Sequence, residues 1–342
     1  MKDLILVTGG TGYIGSHTAV ELINKGFDVV IVDNLANSTT DSLDGIEKIT
    51  GVRPVFEQFD LCDKDKVEEF FQKHKGLKAI IHFAAYKAVG ESVDQPLMYY
   101  QNNLISLMNL LESMDKHQVS NIVFSSSCTV YGQPDELPVT EHAAVKPAES
   151  PYGNTKQIAE EILKDTMLVK PNLNTIALRY FNPIGAHSSA EIGELPRGVP
   201  NNLIPFVTQT AAGLRDELKV FGDDYNTPDG SAIRDYINVV DLAKAHVIAI
   251  DRLLSKSNAE NFEFFNLGTG TGSSVLEVIL AFEKVTGVKV NYKIVPRRAG
   301  DIEKVWANTT FANDVLGWKA VQTLEDTLLT AWNWEKKLRG IK

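Results

Sequence analysis

Cysteine is nearly absent: 342 residues contain two, Cys62 and Cys128. They form no CxxC pair and no disulfide framework, so a disulfide-stapled scaffold is excluded and a reducing cytoplasm is the simplest setting. Positive charge is also short. Lys and Arg number 34 against 44 Asp and Glu, a net charge of −10. That excludes the basic footprint of a typical nucleic-acid binder and makes poor adhesion to an anionic membrane. No apolar run reaches the roughly 18 residues of a bilayer span. The opening run Leu4 to Thr8 stops at Gly9-Gly10, too short for a signal-peptide core. The seven His and two Cys show no zinc-ligand spacing. His82, at a strand end, reads as a core or capping histidine, and Cys128 as a small packing residue rather than a nucleophile. What remains, 44% hydrophobic and 23% charged, describes an ordinary folded protein of about two domains.

What is present is a rhythm. Leu4 to Thr8 is a continuous β-prone run, as expected of a strand covered on both faces. A glycine turn follows, then a helix from Ser16 to Lys25 closed by Gly26, and a second strand, Val29 to Val32, ending at Asp33. Strands are expected again at 55–59, 79–83, 121–124 and 175–178, with helices at 64–74, 98–115 and 158–167. This alternation predicts an α/β fold: a doubly wound parallel Rossmann-type sheet with a smaller α/β substrate domain. From 185 to 233 Gly, Pro and Asn increase and the rhythm is lost, so the boundary falls near 183. The expected domains are 1–183 and 184–342, with segments near 236–267 returning to the first. The helix at 241–254 and the strand at 264–267 are those segments. Further helices are expected at 275–286 and 323–338.

Glycines at 9, 12 and 15 form a GxxGxxG loop directly between the first strand and first helix. Gly9 permits the tight turn, Gly12 lets a pyrophosphate approach the helix N-terminus, and Gly15 lets helix and sheet pack closely. Asp33 follows Gly15 by 18 residues at the end of the second strand. A carboxylate there accepts hydrogen bonds from a ribose and repels a 2′-phosphate, which favours NAD over NADP. Asp60-Leu61, after the third strand, is a weaker candidate for the adenine end.

Of ten tyrosines only Tyr152 has a lysine four positions on, Lys156. On a helix the two share a face. A neighbouring ammonium is expected to lower the phenol's pKa, making the tyrosinate a base for an alcohol hydroxyl. Ser127 lies just after the strand ending at Phe124, at the C-terminal edge of the sheet where ligands bind, and can relay the proton.

These motifs, with the blocks TGGTGYIGSHT, SSSCTVYG, SPYGNTK, ALRYFNPIGAH, GVPNNLIP, IRDYINVVDLA and PRRAGDIEKVWAN, resemble the extended short-chain dehydrogenase/reductases, and within them the UDP-glucose (UDP-galactose) 4-epimerases. The resemblance implies Ser127, Tyr152 and Lys156 as catalytic. It implies NAD held by the loop, including Tyr13 and Ile14, and by Asp33, Asn34, Asp60, Leu61, Phe83, Lys87, Asn102, Tyr152, Lys156 and Tyr180. It places a UDP-hexose at Ser127, Tyr152, Asn182, Asn202, Leu203, Arg234, Arg298, Asp301 and Val305. The two arginines would neutralise the diphosphate with forked hydrogen bonds.

The implied reaction is reversible inversion at C4 through a 4-keto sugar, with NAD returned unchanged. Restricted relatives often carry Tyr just before the tryptophan of the last block. Here it is Val305, which leaves room for an N-acetyl group. A 4,6-dehydratase would need Asp-Glu where Cys128-Thr129 stand. A UDP-glucuronate 4-epimerase is the nearest open alternative. A non-catalytic NAD- or nucleotide-sensing protein is another, although such proteins usually lose the tyrosine or lysine kept here. The resemblance also implies a homodimer through helices near 98–115 and 152–167.

Overall fold

The computed structural model describes residues 2–298 and 302–342. Asp301, expected at the sugar, lies outside the described residues. The strands run in the order β1 (Leu4–Thr8), β2 (Asp28–Asp33), β3 (Val55–Gln58), β4 (Leu77–His82), β5 (Asn121–Ser127) and β6 (Asn174–Tyr180). Short strands follow: β7 (Asn182–Ile184), β8 (Leu218–Phe221), β9 (Ile233–Arg234) and β10 (Tyr236–Asn238). The last four are β11 (Phe262–Leu267), β12 (Ser273–Ser274), β13 (Tyr292–Val295) and β14 (Lys304–Val305). Among the helices, α1 is Tyr13–Lys25, α2 Asp41–Thr50, α3 Lys64–Lys73, α4 Val89–Asp94 and α5 Pro96–His117. They continue with α6 (Pro151–Val169), α7 (Leu203–Ala211), α8 (Val239–Leu254), α9 (Val275–Thr286) and α10 (Leu324–Arg339).

Seven strands form one parallel sheet in the order β11-β6-β5-β4-β1-β2-β3. Ile5 and Val7 face one layer, with helix residues Ala19, Leu22, Leu242 and Ile250. Leu6 faces the other, with Phe70, Leu107, Leu110 and Leu163. Burial on both faces explains why the strands read as unbroken apolar runs. The strand order reverses between β1 and β4, which opens the ligand crevice there. Beyond β6 a separate apolar cluster joins α7, α9 and α10 through Ile204, Phe282, Leu328 and Trp332. The strand at 262–267 pairs with β6 at the sheet's edge, and α8 packs on the α1 face.

Several bounds differ from the sequence reading. Helix α2, at 41–50, was not anticipated, because its window reads as polar loop. Helix α6 starts at Pro151 rather than 158, since Ser150 caps Gly153 N–H at 3.1 Å and Pro occupies the first turn. Strand β3 ends at Gln58, so Asp60 and Leu61 lie in the loop beyond it. No helix of the described residues is long and apolar enough to cross a membrane.

Candidate active site

The glycine turn is built for close approach. Gly9 has φ +66°, and a Cβ there would sit 2.8 Å from the Ala84 nitrogen. A Cβ on Gly15 would lie 2.4 Å from the Gly9 carbonyl oxygen. Gly12 caps α1 without a side chain, and only the Gly9 oxygen stands near its missing Cβ, at 3.1 Å. The result is an open cradle of backbone N–H groups at a positive helix end, the donor set a dinucleotide pyrophosphate needs.

Asp33 closes one side of this cradle. Its Oδ2 accepts from Thr11 N at 3.3 Å, and its Oδ1 from Leu35 N at 2.9 Å and Ser38 Oγ at 3.1 Å. Arg197 reaches the same loop, its Nη1 donating to the Ala36 carbonyl at 3.1 Å and its Nη2 to the Ser38 carbonyl at 2.6 Å. Asn34 Nδ2 donates to Asp60 Oδ2 at 3.2 Å, joining two expected adenine-side residues. Leu61 is buried in the core on the α3 and α5 side of the sheet. Phe83 leaves the end of β4, its N–H bonded to the Thr8 carbonyl and its ring 4.7 Å from that of His246. Asn102 Nδ2 donates to Asn103 Oδ1, and buried Asn103 ties α5 to Thr155 of α6 at 3.1 Å. Tyr13 Oη donates to the Gly185 carbonyl at 2.6 Å, linking the glycine turn to the segment after β7. Ile14 packs on the α1-side core.

Ser127 ends β5, buried, its Oγ accepting from Thr129 N at 3.2 Å. Tyr152 and Lys156 rise from the first turns of α6. Lys156 Nζ donates to the Ser125 carbonyl at 2.6 Å and stands 5.9 Å from the Tyr152 ring centre. Ser125 Oγ and Tyr180 Oη share a 2.5 Å hydrogen bond beside them. The three expected catalytic groups therefore meet at the C-terminal edge of the sheet.

Their charge state corrects one expectation. The Tyr152 phenol is raised rather than lowered. Burial pushes it up to about 12, against a hydrogen bond from Ser127 that lowers it. Burial also brings Lys156 down to about 7, with Glu160 opposing the fall. The physical reason is that desolvation acts on both groups while the ammonium is spent on the Ser125 carbonyl.

On the sugar side, Asn182 begins β7 and Asn202 caps α7 ahead of Leu203. Asn202 Nδ2 donates to Glu194 Oε1 at 2.6 Å, and Lys87 Nζ lies 3.7 Å from that same oxygen. Arg234 sits half-buried on β9, its Nη1 bonded to the Ile233 carbonyl at 2.8 Å. Arg298 is exposed after β13, its guanidinium 5.5 Å from the Phe221 ring centre. Val305 pairs with Arg234 across β14 and β9 and is buried against Phe181, Val130 and Tyr131.

Four residues that motif reading passed over organise this site. Buried Asp235 accepts from Thr269 N at 2.8 Å, Thr269 Oγ1 at 2.7 Å, Gly270 N at 3.2 Å and Ala307 N at 3.1 Å. It thereby fixes the strand carrying Arg234 to the segment carrying Val305. Glu194 joins Lys87 to Asn202. Glu160 and Arg179 form a buried pair behind Ser127 and Lys156. Glu160 was open to discovery, because it lies one turn beyond Lys156 on the same helix face. His82 matches its reading as a core residue: buried, bonded to Thr8 Oγ1 at 2.8 Å and driven down to about 3 by burial. Among the described residues no cluster of His, Cys, Asp or Glu could hold a metal ion.

Fold and site together define the class: an extended short-chain dehydrogenase/reductase, a Rossmann scaffold that presents a dinucleotide cradle to a tyrosine-bearing helix. A family model described as GDP-mannose 4,6 dehydratase matches residues 6–330. The UDP-glucose 4-epimerase of Yersinia enterocolitica is 49% identical over 332 residues, covering 97% of each chain. The crystal structure of UDP-glucose-4-epimerase from Stenotrophomonas maltophila, with bound NAD and formylated UDP-arabinopyranose, superposes with a TM-score of 0.95 at 48% identity, covering 99% of both chains. That of UDP-glucose 4-epimerase from Bifidobacterium longum in complex with NAD+ and UDP gives 0.94 at 47% identity, covering 99% of this chain and 100% of the other. The chain belongs to the UDP-glucose 4-epimerase family.

Proposed function

We propose that this chain inverts C4 of UDP-glucose and UDP-galactose reversibly, through a 4-keto sugar, with NAD held tightly throughout. The observation that carries the reading is the meeting of Ser127, Tyr152 and Lys156 at the sheet edge that also bears the glycine cradle. We take residues 1–183, with returning segments near 236–267, as the cofactor unit and 184–342 as the sugar unit.

Gly9, Gly12 and Gly15 with the N–H groups of Tyr13 and Ile14 would hold the pyrophosphate of NAD. Asp33, Asn34, Asp60 and Leu61 would hold its adenosine end, and Phe83, Lys87, Asn102 and Tyr180 the remainder. When bound, NAD supplies a hydride acceptor at C4 that gives the hydride back. Tyr152 takes the 4-hydroxyl proton and later returns it, with Ser127 alongside to relay or hold it. Burial holds the phenol up at about 12 while the hydrogen bond from Ser127 opposes it, and the Lys156 ammonium, 5.9 Å from the ring centre, is the neighbouring charge that favours the tyrosinate. Asn182, Asn202, Leu203, Arg234 and Arg298 would grip the uridine diphosphate while the keto sugar turns over. Dehydration is disfavoured: Cys128 and Thr129 replace the acid–base pair, and burial pushes the Cys128 thiol up to about 12.

The test is UDP-galactose added to purified protein without cofactor. UDP-glucose should form, and denatured protein should release NAD near one per chain. Absence of both overturns the reading. In the same panel UDP-GalNAc should show some turnover, since Val305 lacks the ring that would fill the space. No turnover of UDP-GalNAc beside intact UDP-galactose activity rejects the wider pocket.

We further read the chain as a homodimer. Leu97, Ile105 and Met108 form an exposed apolar stripe on α5, suited to a helix bundle across a two-fold axis. Light scattering after gel filtration should give twice the chain mass; a single-chain mass overturns this. Two free thiols suit a reducing compartment, and cell fractionation checks the cytoplasm as its place.

A further inference from the structure

The largest fully buried side chain is Arg179, on β6. Its Nε lies 2.8 Å from Glu160 Oε1 and its Nη2 2.5 Å from Oε2, a forked pair with both side chains nearly sealed from water. Glu160 Oε1 also accepts from Ser126 Oγ at 2.6 Å. Arg179 Nη1 donates to Tyr131 Oη at 2.9 Å, and that hydroxyl donates to Asn266 Oδ1 at 2.7 Å. Ser126 precedes Ser127 on β5, and Glu160 follows Lys156 by one turn of α6. A buried ion pair is weak evidence for stability, because two desolvated charges cost about what they return. Its place behind the catalytic groups calls for another role.

We infer that the Glu160–Arg179 pair is a positioning device that fixes the charge of Lys156, with Glu160 holding the ammonium protonated and Arg179 limiting how strongly it does so. The inference rests on the roles read above for Tyr152 and Lys156. The groups facing Lys156 can be named from each side. On α6 they are Tyr152 and Glu160. On β5 they are the Ser125 carbonyl and the Phe124 ring, 4.8 Å from Nζ. His82 faces it from β4 and stays neutral at working pH. From β6 come Tyr180, through Ser125, and Arg179, through Glu160. Tyr131, beside Arg179, is raised by burial, and buried Glu141 acts on Tyr131 and Arg179. Of these groups Glu160 is the carboxylate that acts on Lys156 itself.

The sign follows. Burial depresses Lys156 to about 7, so its cation is lost as pH rises through that value. Removing the Glu160 charge removes the carboxylate that opposes the fall, leaves the Arg179 cation without its ion-pair partner, and depresses Lys156 further. Removing Arg179 takes away the cation paired with Glu160, so the carboxylate acts more strongly on Lys156 and raises it.

The experiment is the pH profile of kcat for UDP-galactose in holoenzyme bearing Glu160→Gln, Arg179→Met or Glu160→Asp. Glu160→Gln should move the alkaline limb down by about one pH unit, a roughly ten-fold loss well above the limb. Arg179→Met should move it up, and Glu160→Asp, which keeps the charge, should leave it in place. If one variant fails to fold, the other two decide. Limbs that stay put, with kcat lowered equally at every pH, overturn the inference and leave a purely structural pair. Wild-type protein without epimerase activity would instead overturn the functional reading.

Discussion

Tyr152→Phe lowers turnover of UDP-galactose by about 10²–10⁴-fold, the range a positioned general base contributes, while NAD retention and UDP binding stay close to wild type. The reasoning starts from how little changes. The ring remains packed on the first turn of α6, and the lost oxygen is bonded to Ser127. Lys156 is anchored by the Ser125 carbonyl and not by the phenol, so its position survives. What disappears is the one group placed to take the 4-hydroxyl proton. The measurement is kcat beside the UDP dissociation constant and the NAD content of denatured protein. Turnover within three-fold of wild type would remove Tyr152 from the role of base. Loss of bound NAD together with activity would make its role one of cofactor binding.

Gly15→Val yields protein that carries almost no NAD and has little activity. The added Cβ alone would stand 2.4 Å from the Gly9 carbonyl oxygen and 2.8 Å from the Gly10 Cα. Both contacts are backbone, so neither can swing aside. Relief requires α1 to move off the turn, which carries the helix N–H groups away from the pyrophosphate. The helix itself survives, since Val is a better helix former than Gly, which stands about 0.8–1.0 kcal/mol below Ala. Absorbance of the released nucleotide and a melting curve separate the outcomes. Folded protein with full NAD content would show that the cradle tolerates a side chain and would withdraw Gly15 from cofactor binding.

Much of the sheet could be read directly because each strand is buried on both faces. Leu4 to Thr8 and Val29 to Val32 are apolar without interruption, and nothing in a single-sided sheet needs that pattern. Helix α2 carries a short apolar stripe, Leu43, Ile46 and Ile49, that packs on the α1 side of the sheet, but it sits in an otherwise polar window between Asn34 and Gly51 and so reads as loop. The start of α6 was legible in hindsight from Ser150-Pro151, a cap and a first-turn proline, whereas apolar periodicity begins later.

The site divides differently. The glycine spacing, Asp33, Ser127 and the Tyr152–Lys156 pair lie within local motifs whose geometry is set by one turn or one helix. The links Asp235 to Ala307, Glu194 to Asn202 and Glu160 to Arg179 span 72, 8 and 19 residues. Only the spacing of Glu160, one turn after Lys156 on α6, hinted at any of them.

The sequence alone therefore determined the chemistry on offer: a cradle for a dinucleotide, a phenol as base and a lysine beside it, on a doubly wound sheet. It misjudged the direction of the phenol's shift, because spacing reports proximity and says nothing of water. The tertiary structure decided how deeply Tyr152 and Lys156 are buried and where the ammonium points. It also decided that a sealed carboxylate–guanidinium pair stands behind them. Desolvation depends on every element packed around a group, and that enclosure exists only once β4, β5, β6 and α6 have come together.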